Sequence, residues 1–343
     1  MAHDQGSAIR QEGDARRGMK AITQTNYGPP ERLELVEKAT PRPEANEVLV
    51  KIHAASVNAM DWRIFTFPLF MRRILGGGYR RPKDSSCGSD LAGRVEAVGS
   101  AVTQFRVGDA VFGVKRGAFA EYACAPEDKI VPKPANVSFG AAAAVPIAAL
   151  TALQAVRDQA HVQPGHTVLI NGAGGGVGTF AVQIAKAFGA EVTAVCSARN
   201  QEVARSIGAD YVIDYAREDF TKSGRRYDVI IAANGYHSIF EYRRALNPGG
   251  VYVVLGGAML QMFQALLFGA VLSRIDKRRF RGLMANVNHK DLLFLAELLA
   301  AGKVAPAIDR RYPLAEVGDA MRYLIDGHAS GKVVITVVDS HAA

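Results

Sequence analysis

The chain has 343 residues, 49% of them apolar and 22% charged, and carries a net charge of +8 from 41 Lys and Arg against 33 Asp and Glu. This length supplies two domains and a substantial core, and the balance excludes an intrinsically disordered or fibrous protein. The positive charge permits attraction to anionic cofactors, membranes or nucleic acid without selecting among them.

Residues 1–18 are polar and charged, lack the apolar core of a signal peptide, and read as a disordered extension. From residue 19 to about residue 131 the pattern is rich in strands and turns. Glu47-Val48-Leu49-Val50-Lys51-Ile52-His53-Ala54 alternates as a strand does. Gly93-Arg94-Val95-Glu96-Ala97-Val98-Gly99 and Val107-Gly108-Asp109-Ala110-Val111-Phe112-Gly113 suggest short strands in a small, strongly curved sheet or barrel. Phe65-Thr66-Phe67-Pro68-Leu69-Phe70-Met71-Arg72-Arg73 is unusually apolar for a loop. It would form a hydrophobic lid for a flat, lipophilic acceptor, or simply close on its own lobe. An alanine-rich helix is expected over 139–157. Strands then alternate with helical stretches at 167–170, 191–195, 211–213, 229–232 and 251–255, the pattern of an open parallel sheet covered on both faces.

The apolar helix over 259–272 is interrupted by Gln261, Gln264 and Gly269 and is too short to span a bilayer, so no transmembrane segment is expected. It reads as a buried or interface helix, with a membrane-surface helix as the second reading. A helix over 290–301 puts Leu292, Leu295, Leu298 and Leu299 on one face, and a final strand over 332–338 would rejoin the first domain. The fold class is therefore α/β. The expected division is an extension over 1–18, a β-rich substrate domain over 19–145 and 287–343, and a doubly wound Rossmann domain over 146–286.

The most informative motif is Ala173-Gly174-Gly175-Gly176-Val177-Gly178, set between an apolar strand and a helix. Such a turn offers the helix N-terminus to a dinucleotide pyrophosphate. Gly175 and Gly176 would admit the phosphates beside Val177, and Gly178 would let helix and sheet approach. About 20 residues further on, where NAD-binding proteins place an acid for the ribose 2′-OH, the chain reads Cys196-Ser197-Ala198-Arg199-Asn200, without a carboxylate before Glu202. A hydroxyl and a guanidinium suit a 2′-phosphate, so the cofactor reads as NADPH, with Tyr215 bordering the pocket. Cys87, Cys124 and Cys196 are odd in number and far apart, which supports neither a disulfide framework nor a zinc knuckle. Basic clusters (Arg72, Arg73, Arg80, Arg81, Lys83; then Arg274, Lys277, Arg278, Arg279, Arg281) carry no aromatic-rich RNA motif, so no nucleic acid is expected.

A β-rich lobe followed by a Rossmann domain with this turn resembles the medium-chain dehydrogenase/reductase superfamily. Ala55-Ser56-Val57-Asn58-Ala59-Met60-Asp61-Trp62, Gly88-Ser89-Asp90-Leu91-Ala92-Gly93, Val107 to Gly113 and Gly331-Lys332-Val333-Val334 resemble its zinc-free, zeta-crystallin-like quinone oxidoreductase branch. The resemblance implies a GroES-like N-terminal lobe and a homodimer; the expected cytoplasmic location comes from the polar first eighteen residues and the lack of a bilayer-spanning stretch. Where the zinc enzymes of the superfamily have their first catalytic cysteine this chain has Asn58. Where they have Gly-His-Glu it has Gly88-Ser89-Asp90, and their third ligand would fall in Pro146-Ile147-Ala148. An amide, a hydroxyl and an alkyl group do not hold Zn²⁺, so no metal is expected.

The same resemblance implies that Asn58 and Thr151 face the nicotinamide, that Leu255, Gly256 and Gly257 meet its carboxamide, and that Asn234 borders the adenosine ribose. It also suggests Lys332 near a cofactor phosphate, and Asp61 and Trp62 beside Asn58 in the catalytic region. The expected activity is hydride transfer from NADPH to a small apolar acceptor, a quinone or an α,β-unsaturated carbonyl. The alternative is an NADPH-binding scaffold, associated with RNA or membrane, with little turnover.

Overall fold

The computed structural model describes residues 18–67, 81–235, 237–257, 259–275, 277–327 and 329–338. The expected extension lies outside these except for Gly18, as do residues 68–73 of the expected lid and Arg72, Arg73 and Arg80 of the first basic cluster. Gly18 belongs to a strand, β1 (Gly18–Thr23), which pairs antiparallel with β2 (Glu34–Ala39).

The lobe continues with β3 (Glu47–Val57), the helix α1 (Ala59–Thr66), β4 (Asp90–Val98), β5 (Ala110–Val114), β6 (Tyr122–Pro126) and β7 (Ile130–Pro132). Period-2 alternation sends Val48, Val50 and Ile52 of β3 into the lobe interior, while Glu47, Lys51 and His53 stay partly exposed. The helix expected over 139–157 is broken into α2 (Phe139–Ala143) and α3 (Pro146–Leu153), followed by a π-helical turn (Gln154–Gln159). Pro146 has no N–H to continue the first helix and occupies the opening turn of the second, where that N–H is not needed.

Next come β8 (Thr167–Asn171), α4 (Gly176–Ala187), β9 (Glu191–Cys196), α5 (Gln201–Ser206), β10 (Tyr211–Asp214), β11 (Tyr227–Ala232), α6 (Ile239–Ala245), β12 (Leu246–Val254), α7 (Met259–Ile275) and β13 (Arg279–Gly282). The six strands form one parallel sheet in the order β10-β9-β8-β11-β12-β13. Its faces separate by period 2. Val168, Ile170, Val229, Ile231, Val251 and Val253 enter one core. Leu169, Ile230, Ala232, Tyr252 and Val254 enter the other. A parallel sheet buried on both sides is the expected doubly wound arrangement, and its strand order reverses between β8 and β11, where such folds bind ligands.

The chain then returns through α8 (His289–Ala300), β14 (Ile308–Pro313), α9 (Val317–Ile325) and β15 (Lys332–Thr336). β15 pairs antiparallel with β3, completing the lobe sheet in the order β14-β15-β3-β4-β5-β7 with β6 also on β3. The last strand thus rejoins the first lobe. Leu292, Leu295, Leu298 and Leu299 of α8 pack into the same core as β8 and α4, so the two lobes share apolar packing.

Candidate active site

Asn58 stands between the end of β3 and the start of α1, and β15 runs beside it: Val57 is the register partner of Val333. This neighbourhood brings Lys332 to Asn58. The Lys332 ammonium donates to Asn58 Oδ1 at 2.6 Å and to the Val57 carbonyl at 3.2 Å, and lies 3.5 Å from Asp90 Oδ2. Asp90 opens β4. It accepts from Asn58 Nδ2 and Ser56 Oγ, each at 2.8 Å, and from the backbone N–H of Ile147 at 3.0 Å. The Asn58 amide is therefore held at both ends, its oxygen by a cation and its nitrogen by a carboxylate. Lys332 and Asp90 are 2% and 0% exposed, a burial that two charges tolerate only when paired and hydrogen-bonded.

Asp61, one turn into α1, accepts from the Asn58 N–H at 2.7 Å and from Ser89 Oγ at 3.0 Å. Burial, with the nearby Asp90 charge adding to it, pushes its carboxyl up to about 7 despite those hydrogen bonds. Burial also lowers the Lys332 ammonium, against the pull of Asp90 and Asp61. Desolvation, reinforced by the Asp61 charge, pushes the neighbouring Cys87 thiol up to about 12 and keeps it protonated. Trp62 is half-buried against the lobe core, with the Arg63 guanidinium 5.5 Å from its ring centroid.

The glycine turn meets this cluster from the other lobe. Gly175 forms a bridge with Gly331, and a Cβ on Gly176 would lie 3.0 Å from the Lys332 stem. Gly175 caps α4 without a side chain, so the first-turn N–H groups of Gly176, Val177 and Gly178 have no intrahelical acceptor. A Cβ on Gly178 would overlap the Gly172 carbonyl oxygen, so this glycine serves helix–strand packing. A Cβ on Gly175 would meet nothing nearer than that same oxygen at 3.6 Å, which leaves an open cradle beside the helix N-terminus. Asn200 is packed under the turn against Gly174, 6% exposed, and its Oδ1 has no partner among the described residues. An open glycine cradle, free helix N–H groups and an orphaned buried acceptor fit a dinucleotide.

Ser197 and Arg199 follow β9 as expected, and Arg199 is exposed. Arg199 reaches across the lobes to donate to the Gly327 carbonyl at 2.8 Å. Tyr215 leaves β10 with its N–H on the Cys196 carbonyl, so it borders the same end of the sheet. Asn234 is exposed beside Gly172. Gly256 and Gly257 lie against the carbonyls of Ala233 and Gly235, and Leu255 donates to the Ala232 carbonyl. Thr151 donates to the Ile147 carbonyl of its own helix at 2.7 Å. The glycine turn, Lys332 and Asn58 thus form one contiguous group. Ser197, Arg199, Asn200 and Tyr215 gather at the end of β9.

Asp90 and Ser56 were not singled out as site residues by sequence reasoning. The signal was available: Asp90 and Lys332 are opposite charges, each followed directly by apolar residues at the opening of a strand, Leu91-Ala92 and Val333-Val334-Ile335, and strand openings of that kind are buried.

The chain matches the family model described as alcohol dehydrogenase GroES-like domain over residues 44–135 and that described as zinc-binding dehydrogenase over residues 207–335. It is 35% identical over 335 residues to the chloroplast envelope quinone oxidoreductase homolog of Arabidopsis thaliana, covering 92% of this chain and 98% of that protein. It is 35% identical over 338 residues to 2-methylene-furan-3-one reductase of Solanum lycopersicum, covering 92% of this chain and 79% of that one. The solved quinone oxidoreductase of Coxiella burnetii superimposes with a TM-score of 0.83 at 33% identity, over 94% of this chain and all of that one. This chain belongs to the medium-chain dehydrogenase/reductase family, in its quinone oxidoreductase-like branch, and is an oxidoreductase with a nicotinamide cofactor.

Proposed function

We propose that the protein transfers a hydride from NADPH to a quinone or to the conjugated alkene of an α,β-unsaturated carbonyl, without a metal. The observation that carries this reading is the Lys332 ammonium, which binds the amide of Asn58, the residue standing where the zinc dehydrogenases have their first catalytic cysteine, while Ser89, at a second ligand position, is bonded to Asp61. Asn58 and Asp90 are already engaged by that cation, Ile147 contributes only a backbone N–H, and the nearby Cys87 is a thiol rather than a thiolate. Zn²⁺ wants thiolate and imidazole, and this donor set supplies neither. An acceptor that needs no Lewis acid, such as an electron-poor quinone or enone, suits it. The relatives' names point the same way.

When bound, NADPH supplies the hydride. The first-turn N–H groups of α4 and the open face of Gly175 would hold the pyrophosphate, while Ser197 and Arg199 would take the 2′-phosphate that NADH lacks. Asn200 would offer its free Oδ1 at the turn, and Tyr215 and Asn234 would flank the adenosine side. Leu255, Gly256, Gly257 and Thr151 would border the nicotinamide end. Asn58 would orient that end or the acceptor oxygen, its amide kept in one orientation by Asp90 and Lys332. Lys332, which the sequence suggested for a cofactor phosphate, instead acts through Asn58, with only its stem against Gly176. Asp61 is likewise a positioning residue, holding the Asn58 N–H, and Trp62 supports α1. Cys87, Cys124 and Cys196 are buried and unpaired, which suits a reducing compartment, and the cytoplasm is the proposed location. A homodimer is proposed on family analogy alone.

The test is oxidation of NADPH and NADH by chelator-treated protein over a panel of quinones and enones. Turnover favouring NADPH and unaffected by chelator is expected, and Arg199→Ala should reduce that preference by roughly 10- to 100-fold, the worth of lost charge-assisted bonds. Turnover that zinc restores after chelation, or cofactor binding without turnover on any acceptor, would overturn it.

A further inference from the structure

The sequence places two amides, Gln261 and Gln264, in the apolar first turns of α7. Gln261 is 1% exposed, a burial that is costly for an amide unless the protein replaces its hydrogen bonds to water. The replacements gather at the carboxyl ends of the central strands. Gln261 Nε2 donates to the Gly256 carbonyl, in the loop after β12, at 3.2 Å. Its Oε1 accepts from the His237 N–H, in the loop after β11, and from the Tyr242 hydroxyl of α6, each at 3.3 Å. Tyr242 is fully buried and accepts in turn from Asn171 Nδ2, at the end of β8, at 2.8 Å. Burial pushes the Tyr242 phenol above its ordinary range, so it stays a donor. Two donors on Oε1 and one acceptor on Nε2 fix the Gln261 amide in a single orientation.

The network therefore joins the ends of three neighbouring strands, β8, β11 and β12, at the place where the strand order reverses and ligands bind. The loops after β11 and β12 also lie against each other. A Cβ on Gly257, whose φ is +102°, would fall 2.6 Å from the Gly235 carbonyl oxygen. Apolar packing of Leu272 against the sheet core docks α7 later in the helix, so the buried amide is not what anchors it. We propose that Gln261 is a positioning residue for the nicotinamide end of the cofactor: it locks the loops after β11 and β12 together, so that the backbone of Gly256 and Gly257 is set before the carboxamide arrives. This rests on the reading that Leu255, Gly256 and Gly257 border that end. Unlinked loops would have to be ordered on binding, and that ordering lowers affinity. Gln264 is the internal comparison. Its Oε1 accepts from the Ile239 N–H of α6 at 3.2 Å, and among the described residues it makes no hydrogen bond to the loop after β12.

The experiment is calorimetric titration of the full chain with NADPH and with 2′-phosphoadenosine diphosphoribose, the same molecule without its nicotinamide. It needs no turnover. Gln261→Leu should weaken NADPH binding roughly tenfold, about the worth of one net hydrogen bond. It should leave the truncated ligand within about twofold of wild type, because that ligand has no carboxamide to place. Tyr242→Phe keeps the ring packing and removes the hydroxyl that orients the amide. It should show the same selective loss at roughly threefold, which keeps the inference testable if Gln261→Leu does not fold. Gln264→Leu should alter the affinity for neither ligand. Equal losses for both ligands in Gln261→Leu and Tyr242→Phe, or no loss for either, would overturn the inference and leave the reading of the site intact. A wild type that binds NADPH no more tightly than the truncated ligand, or binds neither, would refute that reading itself and the inference with it.

Discussion

Replacing Lys332 by Met keeps the stem that packs beside Gly176 and deletes the buried ammonium. Asp90, 0% exposed, is then left with three neutral donors, Ser56 Oγ, Asn58 Nδ2 and the Ile147 N–H, and no counter-charge. At the 3.5 Å separation of the pair, Coulomb's law with an effective dielectric near 20 gives about 5 kcal/mol. Removing one partner of a buried pair typically costs about 3–5 kcal/mol. The two estimates agree, so Lys332→Met should destabilise the lobe by about 4 kcal/mol. Trp62 is the chain's single tryptophan and lies in α1 next to Asp61, so its fluorescence during urea unfolding follows this lobe locally. The double variant Asp90→Asn, Lys332→Met removes both charges and should recover more than half of the loss. A loss below about 1 kcal/mol in the single variant, the worth of an exposed pair, or an equal loss in the double variant, would refute the reasoning.

Asp61 makes stability pH-dependent. Its folded carboxyl, raised to about 7, keeps a proton that the unfolded chain releases near pH 4, so its contribution is complete below that pH and is lost as pH rises through 7. Relative to Asp61→Asn, the wild type should lose about 4 kcal/mol between these limits, and parallel pH–stability curves would contradict this. Gly175→Ala should leave the unfolding transition within about 0.5 kcal/mol of wild type and weaken cofactor binding, read by protection of thermal unfolding. Gly178→Ala should destabilise the fold itself, because its methyl meets the Gly172 carbonyl; equal behaviour of the two variants would refute the separation of roles. Gln154→Leu removes bonds to the Asn286 N–H and carbonyl and to Asp291, and should cost about 1–3 kcal/mol with faster hydrogen exchange at 286–291. Unchanged exchange would contradict that role.

Elements with local signals were legible in the sequence. Apolar runs punctuated by glycine placed β8, β9, β10 and β11 to within two residues, and the glycine turn fell at the N-terminus of α4 as read. What escaped notice depended on distant partners or on mixed signals. β13, Arg279–Gly282, reads as a basic cluster because only Phe280 of its alternating residues points inward, as is common for charged edge strands. The break at Pro146 was visible in sequence and was overridden by the alanine-rich run around it. The union of Asp90 with Lys332 was not readable locally, because two strands at opposite ends of the chain meet only through β3. Asn58 was found by resemblance, but its engagement by both charges required the structure.

The most direct test of the proposed chemistry is a single turnover of NADPH deuterated at C4 with an enone, using chelator-treated protein and mass spectrometry of the product. The account predicts deuterium at the β-carbon of the reduced product, at a rate the chelator leaves unchanged. A product without deuterium, or transfer abolished by chelator and restored by zinc, would contradict it.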